Sequence, residues 1–95
     1  MCELFGLSSS HPLAARDLPL PEFRLRGGAA ANNPDGWGIA WHQGSALLLE
    51  KEPTPGCTSA RFAGLINTLQ SGLIVAHIRR VQRHLAHQKL HKIAT

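Results

Sequence analysis

Ninety-five residues, 43% apolar and 17% charged, suit one small domain with a modest core, and fit neither disorder nor a collagen-like repeat. Two cysteines, Cys2 and Cys57, are too few and too far apart for a disulfide framework. The opening residues lack the basic and long apolar segments of a signal peptide, and no stretch approaches the roughly 18 apolar residues of a membrane span, so a soluble, cytoplasmic setting is expected.

The first element, over Cys2–Ser8 with its core at Cys2–Leu7, reads as a short strand, and Ser8-Ser9-Ser10-His11-Pro12 reads as its breaker. Pro19 and Pro21 forbid one continuous helix from Pro12 to Arg26, leaving a short helical turn at Glu22–Leu25 that Gly27-Gly28 closes. Residues 29–34 read as loop. Trp37, Ile39 and Trp41 alternate with Gly38, Ala40 and His42, the period of a strand. Gln43-Gly44-Ser45 is a turn into a second run, Ala46–Glu50, with Ala46–Leu49 its sheet-forming part, so a hairpin is predicted. Thr58 or Ser59 caps a helix through Leu69, because Phe62, Leu65, Ile66 and Leu69 share one face, and Ser71-Gly72 stops it. Leu73–Ile78, apolar apart from His77, reads as a buried strand.

Charge is unevenly placed along this order. The net charge is +4, yet from Pro53 onward the chain carries only basic groups: Arg61, Arg79, Arg80, Arg83, Lys89 and Lys92. This fits either a phosphate or nucleic-acid partner or a chain cut before an acidic half. Past Arg80 the sequence turns basic and His-rich and is only weakly amphipathic.

Cys2 follows the initiator methionine. Removal of Met1 would leave a residue holding both a thiol and a free α-amine, whose ordinary pKa of about 7.7–8.0 makes it a base near neutrality. Such a residue contains a nucleophile and its general base together. The alternative is a small apolar residue on a first strand.

Three segments carry a resemblance. Met1-Cys2-Glu3-Leu4-Phe5-Gly6-Leu7-Ser8 resembles the opening of the class II glutamine amidotransferases, close to one small bacterial branch with an MCELxGxS start. Arg26-Gly27-Gly28 with Asp35-Gly36-Trp37-Gly38, and then Ala76-His77-Ile78-Arg79, resemble that branch's later motifs in the same order. The resemblance covers roughly residues 1–80 and implies an α+β fold, part of the four-layer αββα sandwich of N-terminal nucleophile hydrolases. It implies attack by Cys2 on the side-chain amide of glutamine, or of a γ-glutamyl small molecule. A γ-glutamyl thioester would form and ammonia would leave. Arg79 matches the arginine that holds the substrate α-carboxylate, a task suited to a bidentate guanidinium. Without the motif, Arg79 reads as a solvated strand-end charge. No cofactor and no metal site are implied.

The other motif residues have plainer readings. Gly36 and Gly38 are expected to let neighbouring strands approach, Trp37 and Trp41 to lie in the core, and His77 to be a satisfied buried histidine. Cys57 has no evident partner.

Residues 81–95 depart from the pattern, with no Asn-Thr-His-Pro, no His-Asn-Gly and no later aspartate for the substrate amine. Two accounts fit: a gene fragment whose reading frame slipped near codon 81, which we favour, or a genuine replacement. Losing even one oxyanion donor costs on the order of 100- to 1000-fold in rate, so this polypeptide is expected to be inactive. The alternative reading is a small basic protein binding metal or nucleic acid. On a helix His84, His87 and His91 would share a face with Arg80, but no carboxylate supports them and no aromatic interleaves the basic run.

Overall fold

The computed structural model describes residues 2–31 and 33–80. They form β1 (Glu3–Ala14), α1 (Leu20–Leu25), β2 (Trp37–Gln43), β3 (Ala46–Glu52), α2 (Ala60–Thr68) and β4 (Gln70–Ile78), with three short 3-10 turns between them. The strands make one antiparallel sheet in the order β1-β4-β2-β3. The expected α+β class and the order strand, short helix, hairpin, helix, strand are both present. Of the expected partial sandwich, the described residues show a single sheet.

Strand alternation decides which side of that sheet becomes core. Trp37, Ile39 and Trp41 of β2 pair with Ile78, Ala76 and Ile74 of β4, and all six are buried. Phe5 and Leu7 of β1 and Leu48 of β3 extend the same face. Leu20 of α1 and Phe62, Ile66 and Leu69 in and after α2 cover it. Phe62 stacks on Trp37 with ring centroids 4.3 Å apart and planes 9° from parallel.

Helix α2 is anchored where it starts. The Ser59 hydroxyl accepts from the Phe62 N–H at 3.1 Å and donates to Glu52 Oε1 at 2.6 Å. The Trp37 indole N–H donates to that same oxygen at 3.1 Å. One carboxylate thus ties the helix cap to β2 and β3, and Ser59 rather than Thr58 is the cap. Among the described residues no helix is long and apolar enough to cross a membrane.

Three expectations need correction. Ser8–Pro12 does not break the first strand, because β1 runs on to Ala14. Between the pairs Ser8↔Leu73 and Leu13↔Ser71 it sets Ser9–Pro12 against Gly72 alone, an enlarged bulge. Pro12, lacking an N–H, sits where the ladder demands no donor. Nor does Ser71-Gly72 stop α2. The helix ends at Thr68, and Ser71 lies within β4, its hydroxyl donating to the His42 carbonyl at 2.8 Å. Finally, β4 is buried on one face only. Val75 is 43% exposed, as are Leu4, Leu47 and Leu49 more fully, all on the side that carries no helix among the described residues.

Candidate active site on the open sheet face

Side chains on the uncovered face fall into cross-strand rows. One row runs Leu4, His77, Gly38, Lys51 from β1 to β3, and the next runs Gly6, Val75, Ala40, Leu49. Because β2 contributes only Gly38 and Ala40 there, a trough of roughly 520 Å³ lies along it. Its walls are Val75, His77 and Arg79 on one side and Leu49, Lys51 and Pro53 on the other.

The two glycines of the Asp35-Gly36-Trp37-Gly38 segment do different work. Gly36 has φ +137°, and a Cβ there would stand 2.9 Å from the Glu52 carbonyl oxygen, so close approach requires glycine as expected. Gly38 is not crowded. A Cβ on it would meet nothing nearer than 3.6 Å, and its lack of a side chain deepens the trough instead of admitting a neighbouring strand.

Arg79 follows β4 directly and is fixed by its backbone. Its N–H donates to the Gly36 carbonyl at 3.0 Å, and its own carbonyl accepts from the Asp35 N–H at 3.0 Å. Its side-chain Nε donates to the Asp35 carbonyl at 3.2 Å. His77, two residues earlier, is half-buried on the open face instead of enclosed in the core. Burial, together with the Arg79 charge, holds its imidazole below the ordinary value of 6.5.

Cys2 is exposed, with a free thiol. The last pair of the β1–β4 ladder is Glu3↔Ile78. Carried one position further, that register sets Cys2 beside Arg79, and alternation assigns both to the open face with Leu4 and His77. Cys2 does not line the trough, which begins on the far side of Arg79. Cys57 lies elsewhere, in the 3-10 turn Gly56–Thr58, against Gly28. A Cβ on Gly28 would stand 2.5 Å from its sulfur.

Sequence reasoning missed how the N-terminal strand is held. Glu3, on the helix-covered face at the edge of the sheet, receives Arg26 Nε at 2.7 Å and Nη2 at 2.8 Å. The Asn33 amide adds a third donor at 2.9 Å. These bonds, Arg26 first, hold the Glu3 carboxyl below its ordinary value despite some desolvation. Asn33 is buried, and its Oδ1 has no hydrogen-bond partner among the described residues. Arg26-Gly27-Gly28 thus anchors the residue next to Cys2. An acidic residue at position 3 and an arginine before two glycines were the available signals, but 23 residues separate them.

No three His, Cys, Asp or Glu side chains converge as a metal site among the described residues. The histidines at 84, 87 and 91 lie outside the described residues.

The arrangement, among the described residues, is that of an α+β protein whose single sheet is covered by helices on one side and carries a trough on the other. A family model of class II glutamine amidotransferases matches residues 1–93, and the chain belongs to that family. The matched span extends into the basic segment after Arg80. No curated protein matches the chain.

Proposed function

We propose that the chain acts on the side-chain amide of glutamine, or of a γ-glutamyl small molecule, through Cys2. With Met1 removed, the α-amine of Cys2 takes the thiol proton, and the thiolate attacks the amide carbon. Collapse of the tetrahedral adduct expels ammonia from glutamine, or the amine of a γ-glutamyl small molecule, which carries away the proton, and leaves a γ-glutamyl thioester. Water then releases glutamate. Arg79 grips the α-carboxylate with two parallel hydrogen bonds and so fixes the distance from that group to the amide.

The observation that supports this most is the end of the β1–β4 ladder at Glu3↔Ile78, whose register, continued by one position, would set Cys2 opposite Arg79. The Glu3–Arg26–Asn33 bonds give the strand carrying Cys2 a fixed start. The glutamine substrate class follows the family. Residues 1–80 are proposed as the amidotransferase portion, with 81–95 a divergent segment. We further propose that the 95-residue polypeptide turns over glutamine very slowly, since it contains neither the Asn-Thr-His-Pro nor the His-Asn-Gly segment that the resemblance implies as the oxyanion hole.

Intact-mass analysis tests the first step. The purified chain should lack Met1, and a glutamine-analogue chloroketone should alkylate Cys2 and leave Cys57 unmodified. Retained Met1, or equal alkylation of both thiols, overturns the assignment. Ammonia release tests the second, and brisk turnover abolished by Cys2→Ala would refute the proposed inactivity.

A further inference from the structure

Asn33 carries a buried polar atom that neither the fold nor the proposed reaction has used. The residue is 1% exposed, and its Oδ1 has no hydrogen-bond partner among the described residues. Given the N-terminal nucleophile proposed above, on which this rests, we infer that Asn33 is a positioning residue. Once Met1 is removed, its Oδ1 accepts a hydrogen bond from the α-amine of Cys2.

The orientation of the amide is settled by its other end. Nδ2 donates to Glu3 Oε2 at 2.9 Å and to the Ala31 carbonyl at 3.1 Å. Turning the amide over would set an oxygen against those two acceptors, so Oδ1 is the atom left without a donor. The backbone holds the residue as well, its N–H donating to the Gly28 carbonyl at 3.0 Å. Buried acceptors are nearly always satisfied, because one taken out of water and left without a donor is costly.

Chain order points to the donor. Asn33 is one hydrogen bond away from the carboxylate of Glu3, and Cys2 is the residue before Glu3. While Met1 is attached, the Cys2 nitrogen is an amide with a single N–H of fixed direction. Removal of Met1 makes it an amine that turns about its bond to Cα and carries more than one N–H. Donating one of them to Asn33 fixes that rotation and directs the lone pair at the thiol, as a general base requires. A carbonyl acceptor suits this task better than a carboxylate, because a facing negative charge would hold the amine as ammonium. Glu3 is the carboxylate at hand, and Arg26 engages both of its oxygens.

The test is the titration midpoint of the α-amine, measured on full chains that carry Cys2→Ser so that no thiol titrates beside it. Intact mass first establishes that Met1 has gone. The rate of α-amine acetylation by acetic anhydride against pH, read by peptide mass spectrometry, then gives the midpoint. Asn33→Leu removes the acceptor and should lower it by about half to one pH unit, whereas Asn33→Asp adds a charge there and should raise it by about one. Both variants lose the bond to Glu3, so a role confined to that bond would move them in the same direction. The other charged groups near this end of the sheet are Glu3, Arg26, Asp35, His77, Arg79 and Arg80, and no variant alters them. Ser71→Ala, at the opposite end of β4, removes the hydrogen bond to the His42 carbonyl and should leave the midpoint where it was. Midpoints that stay put in both Asn33 variants, move together, or move as far in Ser71→Ala overturn the inference. If Asn33→Leu does not fold, an unmoved midpoint in Asn33→Asp overturns it alone. Retained Met1 is a separate result, which overturns the N-terminal nucleophile and this inference together.

Discussion

Phe62→Ala is the sharpest probe of how the sheet is covered. The ring is fully buried, stacks on Trp37, and lies at the N-terminal end of α2, where Ser59 caps the helix. Truncation removes the transfer free energy of the ring and leaves a cavity under α2, together about 3–5 kcal/mol for a buried phenylalanine. Loss of the stacked pair accounts for about 0.5–1.5 kcal/mol beyond the buried area. Roughly 80 residues at about 0.05–0.15 kcal/mol each give a net stability of about 4–12 kcal/mol, so the variant should stand near its unfolding threshold. Leu49→Ala is the control on the opposite face. Leucine burial is worth about 1.5–3 kcal/mol when complete, and Leu49 is 63% exposed, so its truncation should cost less than about 1 kcal/mol. Urea unfolding followed by fluorescence of Trp37 and Trp41 measures both. Equal costs for the two variants would refute the assignment of covered and open faces.

Other outcomes follow from the same contacts. Ser59→Ala should lower stability by about 0.5–2 kcal/mol through loss of the cap, measured by the same unfolding curve. The Glu3 carboxyl titrates lower in the folded chain than its ordinary 4.5. The stability it contributes is therefore present above that value and lost as pH falls through the folded one, and Glu3→Gln should abolish that part of the acid dependence. His77 is held below 6.5, so the unfolded chain binds its proton more readily, and His77→Gln should flatten the loss of stability as pH falls below that value. The wet apolar face and the outer edges of β1 and β3, unpaired among the described residues, should promote self-association in sedimentation experiments. Leu47→Lys with Leu49→Lys should reduce it. A protein that stays monomeric at high concentration without those changes would contradict this reading of the face.

Much of the fold was legible because the local signals agreed. The Trp37, Ile39, Trp41 alternation gave β2 and its core face. The spacing of Phe62, Ile66 and Leu69 gave α2, and Gly44, at φ +63°, gave the hairpin turn. What could not be read depends on pairing. Ser8–Pro12 looks like a breaker until β4 places Gly72 opposite it and absorbs the residues as a bulge. Leu73–Ile78 is apolar enough for a strand covered on both sides, and periodicity cannot say that one side is bare. The site divides in the same way. Cys2 and Arg79 were named from motifs, but that the ladder joining β1 to β4 ends just beside both, at Glu3↔Ile78, is a matter of strand register. Glu3 and Asn33 were not singled out, because each gains its role from a residue distant in sequence.

The measurement that bears most directly on the proposed chemistry is the alkylation rate of Cys2 by a glutamine-analogue chloroketone, followed by peptide mass spectrometry with and without free glutamine. The account predicts that Cys2 reacts much faster than Cys57, that glutamine slows the reaction, and that Arg79→Gln removes this protection. If Cys2 and Cys57 react alike and glutamine protects neither, Cys2 is not a glutamine-directed nucleophile and the account fails.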